Sequence, residues 1–334
     1  MKQLNSELNN KKVALITGIN GQDGSYLAEF LLDKDYEVWG TVKRNSVSET
    51  QSTRIEHLRS KNLINLEYAD LTDMASLVRV IQKVKPTEIY NLAAQSHVRV
   101  SFDQPIYTAN TTGMGTLNLL EAVRMVSPDS KIYQASSSEM FGNNVDEDGY
   151  QRESTPLSPV SPYGCAKVFS YNICRNYRNS YHMKIWNGIL FNHESPRRGT
   201  NFVTNKVVKA AVRIKLGLQE KLHLGNLDAT RDWGHAKDYV EAMWLMLQTD
   251  IPDDYVCSTG VSHSVKDLCE YTFRKLDLDF TDFVSVDEKH FRPEELYDLK
   301  GDSTKMREEL GWKPKYTFET MLDEMIEYWL DKYN

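Results

Sequence analysis

A tyrosine and a lysine stand four residues apart in a segment that favours a helix. Tyr163 and Lys167 follow Pro162, and proline suits the first turn of a helix. Side chains at i and i+4 share one helix face, so the Lys167 ammonium can lie beside the Tyr163 phenol and lower its pKa. A phenolate formed in this way can take a proton from a sugar hydroxyl while hydride leaves the same carbon. The YxxxK pattern is common by chance, so its meaning depends on the rest of the chain.

Two further features give that pair a context. The string SSSE at 136–139 lies at the carboxyl end of a predicted strand and precedes the helix that carries Tyr163. Near the start of the chain, Gly18, Gly21 and Gly24 form a G-x-x-G-x-x-G loop between a predicted strand and a predicted helix. Such a loop allows a tight turn and close approach of the backbone to a pyrophosphate at a helix N-terminus. Together these features predict a dinucleotide site beside the tyrosine, with loop contacts from Gly18, Asn20, Gly21, Gln22, Asp23 and Gly24.

The end of the second predicted strand indicates which dinucleotide is bound. An NAD site usually places an acidic residue there for the ribose 2′-hydroxyl, whereas cations there suit the 2′-phosphate of NADP. This chain has Lys43 and Arg44 and no acid at that place, which predicts NADP; two solvated surface cations are the alternative. Asp70 and Leu71, at the end of the third strand, are expected to bond to or pack on the adenine.

Strands and helices alternate in the first two thirds of the chain. The predicted strands are 13–17, 37–42, 63–69, 88–93, 131–135 and 184–191, and the predicted helices are 26–32, 74–84, 111–126 and 162–181. This alternation predicts an α/β fold with a doubly wound parallel Rossmann sheet. After residue 191 the alternation weakens, which predicts a smaller α/β C-terminal region packed closely on the first.

Composition excludes several classes of protein. The 334 residues include 40 Lys and Arg against 47 Asp and Glu, a net charge of −7, so sequence-independent nucleic-acid binding is not expected. The sequence has no apolar stretch of about 18–20 residues, and its eight histidines have no metal-ligand spacing, so neither a membrane span nor a metal site is expected. The polar N-terminus lacks a signal-peptide core, which predicts a disordered leader at 1–11 and a cytoplasmic protein.

Three longer strings make the chain resemble a known family. They are NLAAQSHV at 91–98, LFNHESPRRG at 190–199 and LGNLDATRDWGHAKDYV at 224–240. With the glycine loop and the tyrosine–lysine pair, they resemble the GDP-mannose 4,6-dehydratase family of the extended short-chain dehydrogenase/reductase superfamily, from about residue 12 to residue 314. The resemblance implies an NADP-binding Rossmann domain at 12–190 plus about 235–260, and a nucleotide-sugar-binding domain at about 191–234 and 261–334.

The resemblance also implies a reaction. Tyr163 takes the proton of the mannosyl 4-hydroxyl, hydride passes from carbon 4 to NADP and later to carbon 6, and water is lost in between. Glu139 removes the proton from carbon 5, Ser137 assists as a hydrogen-bonding or relay group, and the product is GDP-4-keto-6-deoxymannose. A plain ketoreductase has no C–H proton to abstract, so Glu139 is the residue that favours a dehydratase.

The remaining site residues are carried over from the same resemblance. Further cofactor contacts are expected from Leu92, Ala93, Ala94, Ser96, Tyr107, Tyr163, Lys167, His193 and Arg198. Substrate contacts are expected from Ser96, Ser137, Glu139, Tyr163, Asn192, Lys206, Leu224, Gly225, Asn226, Arg231, Arg292 and Glu295.

Departures from the family pattern leave alternatives open. Ser137 stands where the family usually has threonine, Lys206 where it has arginine, and Tyr297 where it has aspartate. A GDP-manno-heptose 4,6-dehydratase therefore remains an alternative, followed by a nucleotide-sugar epimerase or 4-ketoreductase and by a non-enzymatic NADP-binding module. Relatives form dimers or tetramers, and a homotetramer is expected here, with residues 44–54 as an interface loop near NADP.

Overall fold

The computed structural model describes residues 11–44, 54–287 and 294–333. Its strands are β1 (Val13–Thr17), β2 (Glu37–Val42), β3 (Asn65–Tyr68), β4 (Glu88–Asn91), β5 (Lys131–Ser137), β6 (Ile185–Leu190), β7 (Asn192–Glu194), β8 (Leu222–Leu224), β9 (Thr230–His235), β10 (Asp254–Cys257), β11 (Ser262–Ser264), β12 (Val284–Val286) and β13 (Asp298–Leu299). Its α-helices are α1 (Gln22–Leu32), α2 (Glu56–Arg59), α3 (Met74–Val84), α4 (Val98–Asp103), α5 (Pro105–Thr108), α6 (Gly115–Val126), α7 (Pro162–Tyr181), α8 (Val203–Lys215), α9 (Ala236–Leu247), α10 (Val265–Lys275), α11 (Thr304–Leu310) and α12 (Phe318–Tyr333). A π-helical turn spans Ala109–Met114, and 3₁₀ turns span Ser138–Met140 and Phe280–Asp282.

Seven parallel strands form the main sheet, in the order β3-β2-β1-β4-β5-β6-β10. The strand order reverses between β1 and β4, and apolar helices pack against the sheet, so the predicted doubly wound Rossmann fold is confirmed. In sheets of this kind, ligands bind outside the carboxyl ends of the strands at the point of reversal. The glycine loop after β1 and the SSSE string at the end of β5 lie at that edge.

The predicted element bounds are correct where the apolar pattern is strong. Both β1 and β2 have the predicted bounds, as do α3 and α7. The helix predicted at 111–126 differs, because its first turns form the π-helical turn and α6 begins at Gly115. The carbonyl group of Thr112 accepts hydrogen bonds from the hydroxyls of Ser170 and Thr116, both at 2.9 Å, in place of a regular helical pattern.

A smaller region follows β6, as the fold-class prediction expected. Its strands form short pieces, β11-β9-β13 with β7 beside β9, and the pair β8 and β12. Helices α8, α10 and α12 bury a second apolar cluster against these strands, whereas α9 and β10 return to the main sheet. The exact division of the chain into two domains stays a prediction, and most of the proposed leader and of the interface loop 44–54 lies outside the described residues.

No described helix combines the length and the hydrophobicity needed to cross a lipid bilayer.

Candidate active site

A cavity of about 380 Å³ opens at the carboxyl edge of the main sheet, between that sheet and the smaller region. It is bounded by the ends of β5 and β6, the start of α7, the segment 192–206 and the start of β9. The predicted site residues that line it are Asp23, Leu92, Ala94, Ser96, Ser137, Glu139, Tyr163, Lys167, Asn192, His193, Arg198, Lys206, Leu224, Gly225, Asn226, Arg231 and Glu295. The cavity therefore unites the four proposed catalytic residues with most of the proposed substrate contacts.

The four proposed catalytic side chains come from two neighbouring elements. Ser137 ends β5, Glu139 lies in the 3₁₀ turn that follows, and Tyr163 and Lys167 lie in the first turns of α7. The Ser137 hydroxyl accepts a hydrogen bond from the Glu139 N–H at 3.3 Å and is also hydrogen-bonded to the Tyr163 hydroxyl. Lys167 Nζ donates to the Ala135 carbonyl at 2.6 Å. All four residues are buried, so the reacting groups work in a low-dielectric environment.

Burial reverses one expectation about the tyrosine. The net pKa of Tyr163 is raised to about 12, and burial is the largest cause. The hydrogen bond from Ser137 lowers this pKa, and the charge of Glu139 raises it. Burial also lowers the pKa of Lys167 to about 8, while its ammonium bonds to a backbone carbonyl rather than to the phenol. The prediction that Lys167 lowers the Tyr163 pKa is therefore wrong for this chain by itself. The helix places the two groups near each other, with Nζ 5.7 Å from the centre of the phenol ring, but burial has the largest effect on the pKa of each group.

The glycine loop has the geometry needed for a diphosphate. Gly18 has a φ of +70°, and a Cβ there would lie 3.0 Å from the Ala93 Cα. A Cβ on Gly24 would lie 2.5 Å from the Gly18 carbonyl oxygen, so α1 can approach the loop this closely only with glycine. Gly21 caps α1 without any side-chain hydrogen bond, which leaves the first N–H groups of the helix for an anion. The residues of the loop thus fit a dinucleotide.

The proposed adenosine end lies away from the cavity. Lys43 Nζ forms an ion pair with Asp70 Oδ2 at 2.9 Å and lies 5.3 Å from the centre of the Tyr107 ring. The guanidinium of Arg44 lies over the ring of Tyr68. The Asp70 carboxylate also accepts from the N–H and hydroxyl of Thr72, which fixes its position, and its contact with the adenine stays a prediction.

Several other predicted residues also lie outside the cavity lining. They are Gly18, Asn20, Gly21, Gln22, Gly24, Leu71 and Ala93, which belong to the loop and strand ends behind it. The predicted substrate contact Arg292 lies outside the described residues.

The segment after β6 is tied to the glycine loop through a histidine. His193 Nε2 lies 2.9 Å from Asp23 Oδ2, and its Nδ1 donates to the Phe191 carbonyl at 2.8 Å. Burial lowers the His193 pKa, but the charge and hydrogen bond of Asp23 outweigh it, so the net pKa is raised. Burial raises the Asp23 pKa, but His193 and its neighbours bring it down to about 2. The two residues therefore form a hydrogen-bonded pair in the wall of the cavity, which is an ion pair when His193 is protonated.

The cavity also contains residues that the sequence patterns did not single out. His97, Arg99, Asn201, Phe202 and Trp233 contribute to its lining. His97 and Trp233 lie inside the strings that resemble the family, and Arg99 immediately follows one of those strings. Their position in or next to these strings is the signal that could have identified these three residues. Asn201 and Phe202 had no such signal. Among the described residues, no group of three or more His, Cys, Asp or Glu side chains could hold a metal ion.

A comparison with family models decides the relationship. The model described as GDP-mannose 4,6 dehydratase matches residues 15–325, nearly the whole chain. The chain belongs to the GDP-mannose 4,6-dehydratase family. The family match includes the glycine loop, the β5 end, the α7 pair and the segments that surround the cavity.

Members of the GDP-mannose 4,6-dehydratase family from distant organisms are similar over almost their full length. The chain is 53% identical to GDP-mannose 4,6 dehydratase 2 of Arabidopsis thaliana, covering 95% of this chain and 86% of that protein. It is 50% identical to the Homo sapiens GDP-mannose 4,6 dehydratase, covering 95% and 91%, and 46% identical to that of Vibrio cholerae, covering 95% and 93%.

Solved structures of more distant proteins share the fold. The dTDP-glucose 4,6-dehydratase DesIV of Streptomyces venezuelae, solved with NAD and TYD bound, has a TM-score of 0.84 at 22% identity, covering 96% of this chain and 97% of its own. The UDP-glucose 4-epimerase of Thermotoga maritima, solved with UDP-glucose, also has a TM-score of 0.84 at 23% identity, covering 96% and 100%. At these identities the likeness concerns the fold alone.

Proposed function

We propose that this chain is a hydro-lyase that converts GDP-mannose to GDP-4-keto-6-deoxymannose. One observation carries the proposal: a hydroxyl, a carboxylate and a phenol meet at one end of a buried cavity beside the glycine loop. Ser137, Glu139 and Tyr163 are the groups that an oxidation followed by elimination requires. The names of the similar proteins from Arabidopsis, human and Vibrio support the same reaction.

The first step uses the phenol. Tyr163 accepts the proton of the 4-hydroxyl as carbon 4 is oxidised, and the hydrogen bond from Ser137 stabilises the phenolate that performs this step. Because burial holds the pKa of Tyr163 at about 12, the phenolate needs positive charge nearby. Lys167 supplies part of that charge, fixed by its bond to the Ala135 carbonyl.

The second step uses the carboxylate. A ketone at carbon 4 acidifies the proton on carbon 5, and Glu139 removes that proton while the 6-hydroxyl leaves as water. The backbone N–H of Glu139 donates to Ser137, which fixes the turn that carries the carboxylate next to the phenol. Burial of Glu139 excludes bulk water, so the carboxylate acts on the sugar rather than on solvent.

The cofactor of this proposal is NADP. When bound, the nicotinamide accepts hydride from carbon 4 and returns it to carbon 6, so no net oxidant is consumed. The glycine loop and the start of α1 are expected to hold its diphosphate, with Asp23, His193 and Arg198 lining the cavity on that side. Lys43 and Arg44 favour NADP over NAD because both can face a 2′-phosphate at the end of β2.

The nucleotide end of the substrate fits the far side of the cavity. Lys206 and Arg231 line it, and each also donates to a backbone carbonyl, of His223 and Thr230 respectively. Fixed cations of this kind suit a diphosphate. Asn226 and Glu295 offer an amide and a carboxylate for the base or the ribose. That the enzyme is a cytoplasmic homotetramer stays a prediction.

The decisive experiment presents GDP-mannose and GDP-manno-heptose separately, with NADP in catalytic amount, and follows the products by mass spectrometry. Loss of one water from GDP-mannose, with no net change in the cofactor, supports the proposal. Loss of water only from the heptose would transfer the activity to that substrate. Reduction of the added NADP with formation of a 4-keto sugar that keeps its water would indicate a 4-ketoreductase running in reverse. An isomer of unchanged mass would indicate an epimerase, and no product from any sugar nucleotide would indicate a non-enzymatic module.

A further inference from the structure

The side chain of Gln22 joins the cofactor loop to the substrate side of the cavity. Gln22 lies within the glycine loop, is the first residue of α1 and is only 8% exposed. Its Nε2 donates to the His193 carbonyl at 3.1 Å, and its Oε1 accepts from the Ser195 hydroxyl at 2.8 Å. Both ends of the amide are therefore engaged by a segment that lies more than 170 residues later in the chain.

Further contacts fasten the same segment to the same helix. The hydrogen bond between His193 and Asp23 lies beside the Gln22 bonds, and Gln22 Nε2 also donates to Asp23 Oδ1 at 3.0 Å. One turn further along α1, the Arg197 guanidinium donates to the Ser25 hydroxyl at 3.1 Å and to Glu29 Oε1 at 2.6 Å. Residues 193–197 are thus held against the first two turns of α1 by side-chain hydrogen bonds.

That segment carries groups proposed for both ligands. Asn192 and Arg198 flank residues 193–197, and both line the cavity. Asn192 is a proposed substrate contact, and Arg198 is a proposed cofactor contact. Ser195 is fully buried and its hydroxyl also accepts from the Arg197 N–H at 3.1 Å, so the segment is fixed at its middle. A shift of α1 or of the glycine loop would therefore move Asn192.

We propose that Gln22 is a positioning residue that couples cofactor binding to substrate binding. A diphosphate bound by the backbone of the glycine loop fixes the start of α1, and Gln22 transmits this order to residues 192–198 through His193 and Ser195. The substrate then binds to a segment whose position is set by the cofactor-bound loop through these bonds. By linkage, the affinity for the nucleotide of the substrate increases when NADP is bound. The inference rests on the proposed function, because it takes GDP as the nucleotide.

Calorimetric titration of GDP into the protein, with and without saturating NADP, measures the coupling without turnover. For the wild type we expect GDP to bind about 5-fold or more tightly when NADP is present. Gln22→Met keeps the length of the side chain and removes all its hydrogen bonds, so we expect this ratio to fall towards one. Ser195→Ala removes only one of the Gln22 bonds, together with the bond from the Arg197 N–H, and should lower the ratio less. The two effects should not add in the double variant.

The matched control is Gln151→Met. Gln151 is fully buried and donates to the Asn144 carbonyl at 2.8 Å, but it does not line the cavity. A substitution that only loosens the fold lowers both GDP affinities and leaves their ratio unchanged, so Gln151→Met should keep the wild-type ratio. A wild-type ratio of one, or an unchanged ratio in Gln22→Met, would overturn the coupling. Failure of the wild type to bind GDP under either condition would overturn the proposed function instead.

Discussion

The ammonium of Lys43 lies 2.9 Å from a carboxylate oxygen of Asp70, which links the end of β2 to the end of β3. The hydrogen bond from Lys43 to Asp70 raises the Lys43 pKa, so the lysine stays protonated. The sequence predicted Lys43 for the ribose 2′-phosphate and Asp70 for the adenine, and it did not predict a contact between the two residues. The ion pair instead holds the cation in place at the sheet edge, where a 2′-phosphate would meet it and Arg44 together.

We predict that replacing both Lys43 and Arg44 by alanine weakens NADP binding far more than NAD binding. Each charge-assisted hydrogen bond contributes about 1.5–3 kcal/mol, so NADP affinity should fall by about 10-fold or more. Dissociation constants for both cofactors, measured by titration, test this. The matched control removes two exposed cations elsewhere, Lys11→Ala with Lys61→Ala, and should leave both constants unchanged. Equal weakening of NADP and NAD would refute the assignment to the 2′-phosphate.

Glu139→Gln should block the elimination and spare the oxidation. The amide is nearly isosteric but cannot take the proton from carbon 5, and general-base catalysis is worth about 10²–10⁴-fold in rate. We expect GDP-mannose to be oxidised at carbon 4 without loss of water, seen as reduced-nicotinamide absorbance and as an unchanged count of oxygens in the mass spectrum. Glu220→Gln, at an exposed position, should behave as wild type. Normal water loss in Glu139→Gln would remove the residue from its proposed role.

Tyr163→Phe should abolish the first proton transfer. The substitution removes one hydroxyl from a buried ring, so turnover should fall by about 10²–10⁴-fold while GDP still binds. Turnover per folded molecule and GDP affinity are the two measurements. Tyr171→Phe is the control, because Tyr171 is buried in the same helix and its hydroxyl donates to Asp254 at 2.9 Å, away from the cavity. That control should change stability only; equal turnover in the two variants would contradict the assignment.

Asp232 should make stability depend on pH in an unusual direction. Its buried carboxylate accepts bonds from Thr259 and Gly260, but burial dominates and raises its pKa from 3.8 to about 6. The folded state then binds the proton more tightly than the unfolded state. The contribution to stability is full below pH 3.8 and is lost as pH rises through about 6. Its size is about 3 kcal/mol.

Asp232→Asn provides the comparison for that effect. The free energy of unfolding of both proteins is measured with denaturant at a series of pH values. The wild-type value should exceed that of Asp232→Asn by an amount that shrinks as pH rises from about 4 to about 6. Other titrating groups cancel in the difference between the two proteins. A difference that grows or stays constant over this interval would show that the carboxyl group of Asp232 is not protonated more readily in the folded state.

The local features of the site were predictable because they depend on short-range geometry. The i, i+4 spacing of Tyr163 and Lys167 puts both on one face of any α-helix, and Pro162 marks where that helix begins. Gly18, with a positive φ, and Gly24, packed against the loop, belong to a turn that few sequences allow. The π-helical turn before α6 was not predictable, since it depends on Ser170, 58 residues away from the carbonyl that it contacts.

The sequence by itself determined the first six strands, the four longest helices between them, the glycine loop and the residue types at the strand ends, because periodicity and turn chemistry act within a few residues. Only the tertiary structure decided the pairing of Lys43 with Asp70, the bonds from Gln22 to residues 193 and 195, and the pKa of Tyr163. These depend on which distant segments pack together and on how completely they exclude water. Burial raised the pKa of Tyr163, whereas its spacing from Lys167 had predicted a lowered pKa, because removal from water disfavours the charged phenolate.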